Sequence, residues 1–274
     1  MRNAELVRVA RAAAYLPLTM AAAALDAQSL EQRVARAPEG EVWFNYAARP
    51  GVFGDGRSII TWSCEAGRCR SHQVEGNWSD VDWDRHRLSC DSGPARVRLI
   101  KDDNQITRLR VYVGGKWSAT AGVTDLGAVP AQEAARYLLT VARMGAAGVG
   151  EKAVFAATLA DSVTVWPELL RIAREDNLPR RTRRTAVFWV GQAAEEAATR
   201  GLDELLTADT VDRDVREAAV FALSQRPREE GVPILIGVVR THRDPEIRRK
   251  ALFWLGQSED PRALALFEEL LVRQ

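Results

Sequence analysis

The chain has 274 residues, 46% of them hydrophobic and 27% charged, enough for a sizeable core and for two folding units of ordinary size. A formal net charge of +1 disfavours partners held by bulk electrostatics, such as nucleic acid or an anionic membrane face.

At the N-terminus Arg2, Arg8 and Arg11 lead into the apolar, alanine-rich run 12–25, followed by Asp26-Ala27-Gln28. The run is shorter than the about 20 residues a bilayer span needs and contains Pro17. It predicts a cleaved signal peptide over residues 1–27, with small residues offering cleavage after Ala24 or after Ala27. The alternative is an alanine-rich amphipathic helix. No later stretch is apolar enough to span a membrane, so the expected location is periplasmic or secreted.

Export would place Cys64, Cys69 and Cys90 in an oxidising compartment, and one of the three must lack an intrachain partner. Cys64 and Cys69 flank Glu65-Ala66-Gly67-Arg68, which predicts a hairpin tip and makes them the local disulfide candidates. Cys64 with Cys90 and Cys69 with Cys90 remain open. Three cysteines without a close fourth Cys or His ligand do not match zinc spacing, and His72 and His86 read as surface residues. No metal or cofactor is expected.

Residues 28–40 are polar and alanine-rich and predict a linker or a short helix. Residues 41–127 then predict a β-rich domain. Its runs are 41–46, 58–63, 70–74, 95–100 and 107–113, separated by turn formers such as Gly54-Asp55-Gly56, Asp102-Asp103-Asn104 and Gly114-Gly115. Val97 and Leu99 alternate with Arg96 and Arg98, and Leu109, Val111 and Val113 with Arg108, Arg110 and Tyr112. That pattern predicts an antiparallel hairpin with one wet face. Trp43, Trp62, Trp78, Trp83 and Trp117 are expected to fill the core of this small domain. The sharper alternative is a glycan or peptide platform around Trp78 and Trp83, beside Asp80, Asp82 and Asp84.

Gly127 to Pro130 reads as a hinge into helical residues 131–274. Ala134, Tyr137, Leu138 and Val141 share one face of the first helix. An apolar block then recurs: Ala153-Val154-Phe155-Ala156-Ala157, Ala186-Val187-Phe188-Trp189-Val190, Ala219-Val220-Phe221-Ala222-Leu223 and Ala251-Leu252-Phe253-Trp254-Leu255. The lead alanines are 33, 33 and 32 residues apart, the spacing of stacked helix pairs. Five apolar residues in a row circle a helix completely, so each block predicts a helix covered on every side by its neighbours. Asp212 and Asp244 stand at N-cap positions with Pro245 in the first turn. Second helices of each pair are expected to open at Trp166-Pro167, Gly201, Val232-Pro233 and Asp260-Pro261.

This order of Asp, aliphatic residue, Arg, Ala-Val-Phe and Gln resembles the HEAT repeat, in the short form of phycobilisome-lyase-like proteins, over roughly residues 131–274. Pro179-Arg180-Arg181-Thr182-Arg183 departs from it where an Asp cap belongs. The resemblance implies a curved surface that holds another protein or peptide. Enzymes of the hydroxylase type within that class carry His-Glu pairs that ligate iron, and lyase relatives handle bilins. Here no His-Glu pair occurs, and His242 alone lies within the repeats, in a loop where it is expected to be solvated.

Arg183, Arg216 and Arg248 each stand three residues before a lead alanine. They are expected either to reach acidic helix starts such as Asp212, Asp214 or Asp244 or to grip an acidic partner. The basic run 180–184 invites nucleic acid, but residues 150–274 carry 19 basic and 21 acidic side chains. No Gly-x-Ser-x-Gly, phosphate-binding glycine loop or His-Glu-x-x-His is present. The expectation is an α+β chain, a small antiparallel β-rich domain followed by an α-α superhelical solenoid. It would serve as a non-enzymatic scaffold that binds a polypeptide, with no nucleic acid and no stable membrane span. A HEAT-like enzyme and glycan binding through the tryptophans are the alternatives.

Overall fold

The computed structural model describes residues 28–54, 56, 59–65, 68–75, 92–115, 117, 121–145 and 148–272, with the backbone alone for 59–75. The expected signal segment 1–27, Trp78, Trp83, His86 and Cys90 lie outside the described residues.

Residues 28–40 take the helical alternative and are not a free linker. Helix α1 (Leu30–Arg36) opens on a capping box between Ser29 and Gln32, and its Leu30 and Val34 are buried. Both ends are tied down. The Leu30 N–H donates to the Glu133 carboxylate, and the buried Lys101 ammonium donates to Ala35 O at 2.9 Å and Ala37 O at 2.7 Å. A cation at a helix C-terminus also meets the favourable end of the helix dipole.

The strands are β1 (Gly40–Tyr46), β2 (Val52–Gly54), β3 (Ile59–Glu65), β4 (Arg68–Glu75), β5 (Ala95–Asp102), β6 (Gln105–Val113) and β7 (Val123–Ala128). They form a four-stranded sheet in the order β6-β5-β1-β7 and a three-stranded sheet β2-β3-β4. The larger sheet is mixed and not wholly antiparallel: β1 pairs antiparallel with β5 but parallel with β7. The chain leaves β6 at one edge and crosses to the other, so β7 returns in the direction of β1. None of its residues is fully buried, and its Val-Thr-Asp-Leu-Gly-Ala sequence lacks the apolar alternation that exposes a strand to sequence reading.

The β5–β6 hairpin matches its pattern. Val97 opposes Val111 and Leu99 opposes Leu109, all buried, while Arg108 and Arg110 stand outward. Asp103 and Asn104 close it with φ of 50° and 57°, the paired left-handed conformations that suit a two-residue hairpin turn. In β3 and β4, Cys64 opposes Cys69 and Glu65 opposes Arg68.

Of the five tryptophans expected to fill the core, Trp43 and Trp117 are the ones whose side chains are described, and they do not. Phe44, Tyr46 and Tyr137 do so, whereas Trp43 points to the other face of β1. There Trp117 packs edge-on against Trp43 at 4.6 Å and Tyr112 at 5.1 Å, with the Arg96 guanidinium 5.4 Å from its ring. Trp43, Tyr112 and Trp117 meet at 65–69° and cover one another, while the platform expected around Trp78 and Trp83 lies outside the described residues.

Nine helices follow among the described residues: α2 (Ala131–Met144), α3 (Val149–Thr158), α4 (Trp166–Arg174), α5 (Arg180–Gly191), α6 (Glu196–Thr207), α7 (Arg213–Ser224), α8 (Arg228–Thr241), α9 (Pro245–Gly256) and α10 (Pro261–Val272). The segment 127–130, expected as a hinge, is fastened to the sheet by Val129 N–H donating to Asn45 O at 2.8 Å. Sheet and stack also share main-chain bonds: Arg49 N–H donates to Leu159 O and Asp161 N–H to Ala47 O, around an Ala48–Ala160 bridge. Tyr46 donates its buried hydroxyl to Ala156 O at 2.5 Å, and burial pushes the pKa of that hydroxyl up. One hydrophobic core therefore runs from α1 through the sheet into the stack.

Candidate functional site

Each Ala-Val-Phe helix packs more extensively on the helix before it than on the one after, so the pairs are α2/α3, α4/α5, α6/α7 and α8/α9. The block is thus the second helix of its pair, not the first. Helix starts at Trp166 and Pro261 agree with expectation, but α6 opens five residues before Gly201 and α8 five before Pro233. Close approach explains a glycine beside that second start. A Cβ on Gly231 would stand 2.2 Å from Leu223 O, so α8 crosses the end of α7 where only glycine fits.

Helices α3, α5, α7 and α9 lie side by side in one layer, and α4, α6, α8 and α10 form the other, packed less closely. The difference curves the stack toward the first layer. Gly191 lets α5 and α7 close up, since a Cβ there would come 2.9 Å from the Ala222 Cβ. Asp212 and Asp244 cap α7 and α9, accepting from Val215 N and Glu246 N, whereas α5 begins at Pro179 with no side-chain cap.

The blocks are not covered on every side. Their third residue is Phe155, Phe188, Phe221 and Phe253, which goes from 8% exposed at Phe155, through half-buried Phe188 and Phe221, to 57% exposed at Phe253. The next position alternates Ala156, Trp189, Ala222, Trp254. Trp189 stacks on Phe155 at 5.3 Å and meets Phe188 edge-on at 5.3 Å; Trp254 likewise meets Phe221 and Phe253, each at 5.0 Å. Phe188 and Phe221 stack at 6.4 Å and join the two groups. Large and small side chains interdigitate into a continuous aromatic strip, half open to solvent.

This strip floors a groove of about 1050 Å³. One turn earlier on each helix Glu151, Arg184, Glu217 and Arg249 form an alternating row along its rim, joined by Arg181, Glu246 and Lys250. Lys250 pairs with Glu217 at 3.2 Å and Arg249 with Glu246. Arg181 and Arg184 have no ion pair among the described residues, and both are exposed. Glu151 holds one carboxylate oxygen buried without a hydrogen-bond partner.

A sequence model of HEAT repeats matches residues 204–274, from within α6 through α10. These residues are similar to HEAT repeats. HEAT repeats generally mediate protein–protein interactions. No curated protein matches the chain. Helices α2 to α5 continue the same stacking toward the N-terminus beyond the matched residues.

The repeated arginines are placed away from the groove. Arg183 and Arg216 are only 4% and 9% exposed. All three bind carbonyls at the entry to their own helix: Arg183 donates to Leu178 O at 3.2 Å, Arg216 to Ala208 O at 2.9 Å and Arg248 to His242 O at 2.6 Å. Only Arg183 also meets an acidic cap, Asp212 at 2.6 Å. Two of the other links between repeats come from the position three residues earlier, Arg180 to Asp214 at 2.8 Å and Arg213 to Asp244 at 3.0 Å. His242 is bonded and not merely solvated: its Nε2 donates to Leu206 O at 3.0 Å and its Nδ1 accepts from Asp244 N at 3.1 Å. That pairing anchors one helical repeat to the previous one.

Sequence reading missed Arg226, the most heavily bonded side chain in the stack. It is buried and donates to Thr199 Oγ1 at 2.7 Å, Glu230 Oε2 at 2.8 Å, Glu195 O at 3.2 Å and Ala193 O. The Thr199 hydroxyl and this guanidinium hold the Glu230 carboxyl below its ordinary range. The only signal was a lone Arg after the recurring Gln, where the other repeats carry Ala193 and Ser258.

Among the described residues no three His, Cys, Asp or Glu side chains are grouped to hold a metal ion, and no helix is long and apolar enough to cross a membrane. Carboxylates at helix starts have a structural part. Asp260 accepts the Arg262 N–H and guanidinium, both at 2.9 Å, and that guanidinium above all holds its pKa down to about 2 from an ordinary 3.8. A depressed folded value means the stabilisation is fully present above pH 3.8 and is lost as pH falls toward about 2. Urea unfolding from pH 5 to about 2 is expected to show a steeper loss of stability in the wild type than in Asp260→Asn.

Proposed function

We propose that the protein is a non-enzymatic scaffold that seats a polypeptide segment in the groove of its HEAT stack. The observation that carries this reading is the aromatic strip shared by four successive helices. A structural core would close over such rings, whereas here Phe188, Phe221 and Trp254 remain half-exposed and Phe253 is open. Large rings on a stiff backbone supply contact area at little cost in conformational freedom, the usual make-up of binding hot spots. The sheet, bonded to α3 through its main chain, braces one end of the stack. The test is retention of polypeptide by the immobilised full chain, with binding lost in Phe253→Asp. Equal retention by that variant rejects the groove as the binding face.

We further propose that the protein works outside the cytoplasm. Support comes from the arginine-led apolar run 12–25 and from the register that sets Cys64 opposite Cys69. Directly opposed antiparallel residues have Cα atoms about 4.5–5.5 Å apart, a separation that disulfides span. The expected result is one titratable thiol of three in denatured protein recovered from an oxidising compartment. Three free thiols in that material would reject the bridge.

A further inference from the structure

We infer that the groove selects a polypeptide segment that carries an acidic side chain beside its apolar anchors, with the acid seated at Arg181 and Arg184. This rests on the groove being the binding face and adds the chemistry of what it takes. The basic run 180–184 resolves into distinct parts. Arg180 is spent on Asp214, and the buried Arg183 on Asp212 and Leu178 O. Of that run Arg181 and Arg184 are left, exposed on the rim of the groove with no carboxylate within ion-pair distance among the described residues.

At the other end of the groove the cations are already answered, Lys250 by Glu217 and Arg249 by Glu246. Charge along the groove is therefore uneven. The α5 end presents two uncommitted guanidiniums, and α5 is the one helix of its layer with no acidic residue in its first turn. The α7–α9 end presents rings between neutralised pairs. A guanidinium binds a carboxylate through two parallel N–H donors, so an Asp or Glu side chain suits this spot. A polyanion such as nucleic acid suits it poorly, because successive phosphates would lie against Glu151, Glu217 and Glu246 on the same rim.

The test is selection of displayed random short peptides on the immobilised full chain, followed by fluorescence anisotropy with the selected sequences. Selected peptides are expected to combine Asp or Glu with Leu, Phe or Trp. Their affinity should fall about tenfold or more in R181E/R184E, and peptides with Lys in place of the acid should prefer that variant over the wild type. Both substitutions are on exposed, unpaired side chains, so the variant folds. Selected peptides without acidic enrichment, or an affinity untouched by the charge reversal, would overturn the inference; if those peptides still fail to bind Phe253→Asp, the groove itself stands. Preferential binding of a fluorescent single-stranded oligonucleotide would overturn it as well. So would a dimer on size-exclusion chromatography that Phe253→Asp dissociates, since a second copy would then be the occupant. A library that yields no binder counts against both readings.

Discussion

Replacing Arg226 with methionine is expected to destabilise the fold by about 2 kcal/mol or more, the cost of leaving the acceptors around a buried guanidinium without their donor. The change removes donors from Thr199 Oγ1, Ala193 O and Glu195 O at once and leaves Glu230 facing an apolar stem. Methionine keeps much of the volume, so the loss is electrostatic and not a cavity effect. Urea unfolding measures it directly, with a lower midpoint at an unchanged slope. Arg226→Lys should recover only part, because a single ammonium cannot reach all the acceptors that the three guanidinium nitrogens serve. A double variant with Glu230→Gln should cost less than the two single changes combined, since the orphaned charge is then gone. A loss within about 1 kcal/mol would mean that Arg226 behaves as an ordinary surface ion-pair residue.

Phe253→Asp is expected to weaken polypeptide binding by about 2 kcal/mol or more, roughly thirtyfold, with a much smaller effect on folding. The ring is 57% exposed, so its removal uncovers little core; the edge-on contact with Trp254 contributes about 0.5–1.5 kcal/mol. Binding suffers twice over. An aromatic contact surface is lost, and a carboxylate must be desolvated beside Trp254 when an apolar side chain arrives. Isothermal titration with a selected peptide, alongside urea unfolding of the same variant, separates the two quantities. An unchanged affinity would place the bound segment elsewhere on the protein.

The stack was legible because its signals agreed: lead alanines at nearly constant spacing, Asp caps and Pro245 at helix starts. Where a single residue had to place a boundary, reading failed. Pro233 looks like a first-turn proline but sits inside α8, since the helix begins at Arg228 under a Pro227 cap of its own. The aromatic residues of the site were visible too, yet their meaning was not. Five apolar residues circle a helix whatever their neighbours do, and only the arrangement of helices decides which side of Phe188 or Phe221 is left open. The arginine ladder misled for a related reason. Its position was regular, but its partners Ala208 O and His242 O are main-chain atoms that no side-chain pattern reveals. In the β-rich part the β5–β6 hairpin was read correctly from alternation, whereas β7 pairs by its backbone alone.

Tryptophan appears in every second helix of the groove, which doubles its repeat distance. Adjacent helices in a layer are about 8–10 Å apart, so equivalent Phe-Trp-Phe clusters recur roughly every 20 Å. An extended strand advances about 3.3 Å per residue and covers that distance in about six residues. For a polypeptide seated there as proposed, the floor would work as a ruler with two marks, favouring chains whose bulky side chains fall on that beat and leaving the intervening positions free to vary.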